Sequence, residues 1–250
     1  MDMVLLQTHE LVKRYSGRTV LDRVSIEVHE REIVGLLGRN GAGKTTTFRI
    51  IIGMVKPDDG KVVFEGRDIT HLPMYKRARA GIGYLSQEPS VFGRLTVEQN
   101  LLAILETMSL TRRDRHHRAE ELIDQFELGR VRKQHARLLS GGERRKLEIA
   151  RALVTNPSLI LLDEPFSGVD PIAVEDLQKE IRRLLDEKGI SILITDHNVE
   201  RTLEVVHRAY IINEGYVLAE GPPRNLIRDP NVRKTYLGAT FRGDEFDSEQ

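Results

Sequence analysis

The apolar run Ile33-Val34-Gly35-Leu36-Leu37 ends directly on Gly38-Arg39-Asn40-Gly41-Ala42-Gly43-Lys44-Thr45, a Gly-x4-Gly-Lys-Thr segment that leads, through Thr46, into a helical stretch. At such a junction the chain leaves a buried strand in a sharp turn and aims several backbone N–H groups at one point, which glycine allows and bulkier residues obstruct. Converging N–H groups and the positive end of the following helix favour an anion at that point. The pattern predicts that Lys44 reaches the β- and γ-phosphates of a nucleotide and that the Thr45 hydroxyl binds Mg2+. A glycine-rich turn with no ligand is the alternative.

Two further runs, Leu159-Ile160-Leu161-Leu162 and Ile190-Ser191-Ile192-Leu193-Ile194, are also of strand length and apolar on both faces. Such strands suit the centre of a parallel sheet covered by helices. Each run is followed by polar residues or glycine, where a parallel sheet presents its carboxyl ends to ligands. Helical stripes lie between them: Val174, Leu177, Ile181 and Leu184 after Pro171, Ala119, Leu122, Ile123 and Phe126, and a helix capped by Thr96 that carries Leu101, Leu102 and Leu105. Val4 to Leu6, Val20-Leu21, Val62 to Phe64, and the pair Ala209 to Ile212 and Tyr216 to Ala219 read as antiparallel strands, the last two joined by Asn213-Glu214-Gly215. The expected architecture is α/β: a P-loop core with a mostly parallel sheet, an antiparallel flank and a helical insertion. Residues 1–250 form one domain, with 1–71 and 138–240 as the core, 72–137 as the insertion, and 243–250 as a loose acidic tail.

Composition limits the function classes. Lys plus Arg equals Asp plus Glu at 38 each, which disfavours a strongly basic nucleic-acid binder. The absence of cysteine removes disulfides and thiolate chemistry and suits a reducing compartment. No apolar run approaches the roughly 18–20 residues of a membrane span, and the N-terminus lacks a secretory pattern. The expectation is a cytoplasmic protein that meets a membrane only through partners.

Asp163-Glu164 follows the second run. An Asp-Glu pair in isolation is usually a helix cap or solvated charge, but beside a P-loop Asp163 is placed to hold Mg2+ and Glu164 to activate water. His197, after the third run, falls at the same sheet edge, within reach of a γ-phosphate. Gln87 offers a neutral amide for metal or water. Leu139-Ser140-Gly141-Gly142-Glu143 precedes a helix with Leu147, Ala150 and Leu153, and makes either a simple cap or a second phosphate cradle.

This set, in this order, resembles the ATP-binding cassette family over nearly the whole chain. The resemblance implies ATP and Mg2+ as ligands and a homodimer in which each ATP lies between one P-loop and the partner's Ser140-Gly141-Gly142-Glu143. It implies Tyr15 stacked on adenine, Gln87 sensing metal and γ-phosphate, and Asp170 communicating across the dimer. Many family members have Ala-Leu-Asp where this chain has Gly168-Val169-Asp170. It further implies two integral membrane subunits, each seated on the cassette through a coupling helix, with no nucleic-acid partner. Val91 and Phe92, with helix residues near Asn100 to Leu105, would offer such a helix an apolar groove, unless Phe92 packs inside the insertion.

Gly81-Ile82-Gly83-Tyr84-Leu85, Phe166 to Ile172, Ile194 to Val199, and Tyr236-Leu237-Gly238 with Phe241-Arg242 resemble the family members that power lipopolysaccharide export from the inner membrane. Ser86 stands where that group usually has proline, and the acidic tail is longer. A branched-chain amino-acid importer is the alternative cargo class. A soluble cassette acting on nucleic acid or ribosomes is disfavoured, because the chain carries one cassette and no coiled-coil insertion.

Overall fold

The computed structural model describes residues 3–88, 90–238 and 241. The acidic tail at 243–250 and Arg242 lie outside the described residues. In chain order the elements are β1 (Val4–Tyr15), β2 (Arg18–Val24), β3 (Glu27–His29), β4 (Ile33–Leu37), α1 (Lys44–Ile51), β5 (Asp59–Phe64), β6 (Arg67–Asp68), α2 (Met74–Ala80), β7 (Ile82–Leu85), α3 (Val97–Leu105) and α4 (Arg112–Gln125). They continue with α5 (Gly141–Ala152), β8 (Leu159–Asp163), α6 (Pro171–Lys188), β9 (Ser191–Thr195), α7 (Val199–Leu203), β10 (Arg208–Asn213), β11 (Tyr216–Gly221) and α8 (Pro223–Arg228).

One six-stranded sheet runs β11-β10-β4-β9-β8-β7. All of its pairings are parallel except β10 with β11. Every residue of β4, β8 and β9 is buried, as apolar strands covered on both faces must be. Alternate side chains enter two cores. Ile160, Leu162, Ile192 and Ile194 meet helices α3 to α7, whereas Leu159, Leu161 and Leu193 meet α1 and the second sheet. That second sheet has the order β2-β1-β5-β6 with β3 on β1, and all of its pairings are antiparallel. Helix α1 is therefore sandwiched between two sheets, with Phe48, Ile50 and Ile51 fully buried.

Two expectations change. The strand Ala209 to Ile212 pairs antiparallel with its hairpin partner, but its other edge pairs parallel with β4, so it belongs to the core sheet. Hairpin chemistry reports only one edge of a strand. Within the range expected for a helical insertion, 72–137, Ile82–Leu85 forms the edge strand β7 against β8. Its four residues are too few, and too rich in glycine and tyrosine, to stand out as a period. The helical stripes hold. Thr96 caps α3 in a box closed by Gln99, and Leu122, Ile123 and Phe126 are buried. In the β10–β11 turn both Glu214 and Gly215 have positive φ.

Arg77 of α2 is 2% exposed and donates to the carbonyls of Ile50, Ile51, Thr70 and Leu72 at 2.6–2.9 Å. It caps the negative end of α1 in place of water. Burial lowers its pKa to about 10, so it stays charged at neutral pH. Arg77→Met leaves those buried carbonyls unsatisfied. It is expected to cost about 3 kcal/mol, read as a fall in thermal midpoint on the order of 6–12 °C.

Candidate functional site

The carboxyl ends of β4, β9, β8 and β7 lie along one rim of the core sheet, and each carries residues of the candidate site. The P-loop joins β4 to α1. A Cβ on Gly38 would stand 2.2 Å from the Ile212 carbonyl, and one on Gly43 (φ +115°) would stand 2.5 Å from Leu21 Cδ2. The loop is thus clamped between the β10 end and the antiparallel sheet, and only glycine fits. Ala42 accepts from Gly215 N at 3.0 Å, which ties the loop to the β10–β11 turn. Lys44 Nζ curls toward the loop and donates to the carbonyls of Gly38 (2.7 Å) and Arg39 (3.1 Å). Burial lowers its pKa, opposed by the charges of Glu164, Asp163 and Asp196.

A cleft of about 540 Å3 opens over the loop, lined by Val20, Asn40, Gly41, Gly43, Lys44, Thr45, Thr46, Gln87, Glu164 and His197. Gln87 Nε2 donates to Glu164 Oε2 at 2.8 Å, and His197 Nδ1 stands 3.6 Å from the same oxygen. Glu164 has φ +50°, a left-handed conformation that costs a non-glycine residue about 1–3 kcal/mol. It is held there by its N–H, which donates to Thr195 O at 2.7 Å, and by its carbonyl, which accepts from Arg145 at 2.9 Å. The turn directs the carboxylate over the P-loop instead of along the strand.

Asp163 is 1% exposed. Its Oδ2 accepts from the Tyr84 hydroxyl at 3.2 Å, and its Oδ1 is buried with no hydrogen-bond partner among the described residues. Burial raises its pKa. A buried carboxylate oxygen left free next to a phosphate cradle fits a divalent cation, to which Thr45 at the first turn of α1 adds a hydroxyl. Among the described residues no group of three or more His, Asp or Glu side chains is placed to hold a metal alone, so a cation here shares the phosphates of a nucleotide.

Two residues overlooked in the sequence build this rim. Asp196, fully buried, accepts from Phe166 N (3.0 Å) and Asn198 N (2.9 Å), which joins the turns after β8 and β9. Arg145 on α5 pairs with Glu148 at 2.8 Å and donates to the carbonyls of Ser86, Asp163, Glu164 and Pro165. Within the run Glu143-Arg144-Arg145-Lys146 nothing separates it from solvated neighbours. Its spacing of three from Glu148, on a face shared with buried residues, was the available signal.

The remaining expected residues lie elsewhere. Ser140 caps α5 and accepts from Glu143 N, while the Glu143 carboxylate accepts from Ser140 N at 2.8 Å. Ser140, Gly141, Gly142 and Glu143 are not among the residues that line the cleft of their own chain. A Cβ on Gly142 would lie 3.3 Å from Ala173 Cβ, so the segment sits against the start of α6, which Asp170 caps. Tyr15 is 45% exposed at the end of β1, beneath Lys13 Nζ and outside the cleft lining. Phe92 is 49% exposed with the Arg151 guanidinium 4.6 Å from its ring centroid, so it does not pack inside the insertion, while Val91 rests on the core.

The model of the family described as ABC transporter matches residues 21–167. A lipopolysaccharide export system ATP-binding protein, LptB, from Haemophilus influenzae is 52% identical over 241 residues, covering 96% of this chain and 100% of that protein. An ATP-binding cassette of an ABC transporter in its ADP conformation superposes with TM-score 0.85 at 31% identity, covering 94% of this chain and 99% of that one. A dimeric post-hydrolysis cassette bound to ADP and Pi gives TM-score 0.79 at 26% identity, covering 88% and 99%.

The buried, half-satisfied Asp163 lowers stability wherever it is ionised. A carboxyl raised in the fold favours the folded state below its unfolded pKa, and that contribution fades as pH rises through the folded value. Asp163→Asn is therefore expected to raise the thermal midpoint in EDTA at pH 8 by about 2–4 °C, and the gain should shrink on acidification toward pH ~4.

Proposed function

This chain belongs to the ABC transporter family, and from that premise we propose that it is the ATP-hydrolysing subunit of a lipopolysaccharide exporter. The observation that carries the ATPase reading is the convergence of Gln87, Glu164 and His197 on the P-loop cleft, with the Ser140 cap outside it.

In this reading the N–H groups of residues 38–46 and the Lys44 ammonium bind the triphosphate, and Lys44 exchanges its carbonyl contacts for phosphate oxygens. Thr45, Asp163 and Gln87 would hold Mg2+ brought with ATP, which would supply positive charge against the phosphates. Glu164 takes a proton from the attacking water, with Gln87 and His197 against its carboxylate. The left-handed turn at Glu164 sets that direction before substrate arrives, which lowers the cost of orientation. Tyr15 stacks its exposed ring on the adenine.

One chain carries the P-loop cleft and, outside its lining, a second helix N-terminus at which Ser140 and Gly141 are exposed. Two copies related head to tail satisfy both, each Ser140 segment closing the partner's cleft, and Asp170 beside it meets the partner's loop. The dimeric ADP- and Pi-bound cassette of similar fold supports pairing of two copies. Val91 and the exposed Phe92 form the contact for a coupling helix of each of two membrane subunits. Among the described residues no helix is long and apolar enough to cross a membrane, in keeping with attachment through such partners at the cytoplasmic face of the inner membrane. Lipopolysaccharide as cargo is supported by 52% identity to the Haemophilus export protein over its whole length.

Glu164→Gln keeps the fold and removes the base. Turnover should fall at least about 100-fold while ATP binding persists and the dimer accumulates. Turnover near that of the parent would exclude Glu164 as the base. For assembly in trans, Lys44→Ala and Ser140→Arg subunits, each inactive alone, should recover activity when mixed, because one composite site is then intact. Verified mixed dimers with no recovery would contradict it.

A further inference from the structure

We propose that Tyr84 is a positioning residue for the cation site: its hydroxyl anchors one oxygen of Asp163 and leaves the other free for the metal. The proposal rests on the reading of Asp163 as a cation ligand and assigns the residue that orients it.

Strand register makes the contact. In the β7–β8 pair Tyr84 stands opposite Leu161, and Asp163 lies two residues further along, on the same face of the sheet. That face is covered by α1, whose first turn carries Lys44 and Thr45. Tyr84 is half-buried against the same core, and its hydroxyl donates to Asp163 Oδ2 at 3.2 Å. A phenylalanine would fill that space equally well. What the hydroxyl adds is a fixed direction for a carboxylate whose second oxygen has no partner among the described residues. Ligands held by an outer hydrogen bond bind metal in one orientation, and loss of such a partner costs about 10–100-fold in metal affinity.

Tyr84 also sits three residues before Gln87 on the strand that leads to it. Arg145 grips the Ser86 and Asp163 carbonyls, so backbone and side chain are tied between the same two strand ends. The cation ligand and the segment bearing Gln87 are thereby set in register with each other. A shift of β7 along β8 would withdraw the anchoring hydroxyl from Asp163.

The test measures bound Mn2+ by electron paramagnetic resonance in the presence of ATP, with Glu164→Gln as the parent so that nucleotide is not consumed. Tyr84→Phe should weaken Mn2+ binding about tenfold while ATP affinity measured in EDTA stays within about twofold of the parent. Mn2+ affinity within about twofold of the parent, combined with a clear loss in Asp163→Ala, would overturn the role of Tyr84 alone. Equal losses of ATP affinity in EDTA and of Mn2+ affinity would also overturn it, since packing would then explain both. No loss in Asp163→Ala would instead overturn the reading of Asp163 on which the proposal stands.

Discussion

In a parallel sheet every strand delivers its carboxyl end to the same rim, and here the rim is ordered β4, β9, β8, β7, although the chain visits these strands as β4, β7, β8, β9. The whole site follows from that permutation. β9 enters between β4 and β8, which puts the Asp196 turn beside the P-loop on one side and beside Glu164 on the other. The buried Asp196 carboxylate then fastens the two turns by accepting a backbone N–H from each. Without those bonds the left-handed Glu164 has less to hold it, and its carboxylate loses its aim.

Stability and chemistry oppose each other along this rim. Lys44 is buried among backbone carbonyls, Asp163 keeps an unpartnered oxygen out of water, and Glu164 sits in a strained conformation. Each of these costs free energy that core packing elsewhere must offset. Two buried arginines compensate locally: Arg145 satisfies carbonyls on both sides of Glu164, and Arg77 satisfies the far end of α1. The proposed ligands would turn the remaining deficits into contacts, because phosphate takes the Lys44 donors and a cation takes the Asp163 oxygen.

The proposed pairing of two copies has the same logic. Ser140 and Glu143 satisfy each other in a capping box, yet the small residues Gly141 and Gly142 leave the first turn of α5 open to approach. An anion brought by a second copy would complete that turn. Phe92 is half exposed over Arg151, where the proposed coupling helix would cover it.

Local chemistry was legible in the residues themselves. Gly-x4-Gly-Lys-Thr after an apolar strand, the Ser-Gly-Gly-Glu cap, the Asp163-Glu164 pair and the three central strands all depend on neighbours within about ten residues, where spacing and side-chain type suffice. The second edge of β10, the short strand β7 and the roles of Tyr84, Arg77, Arg145 and Asp196 were not. Each is defined by a partner far along the chain, such as Tyr84 by Asp163 or Arg77 by Ile50 and Ile51. The amino-acid order by itself determined which groups are candidates to meet a nucleotide, because backbone N–H convergence and strand-end carboxylates are local properties. Only the tertiary structure decided how those groups are aimed and held, because aim comes from sheet order, register and burial, which no short window of residues contains.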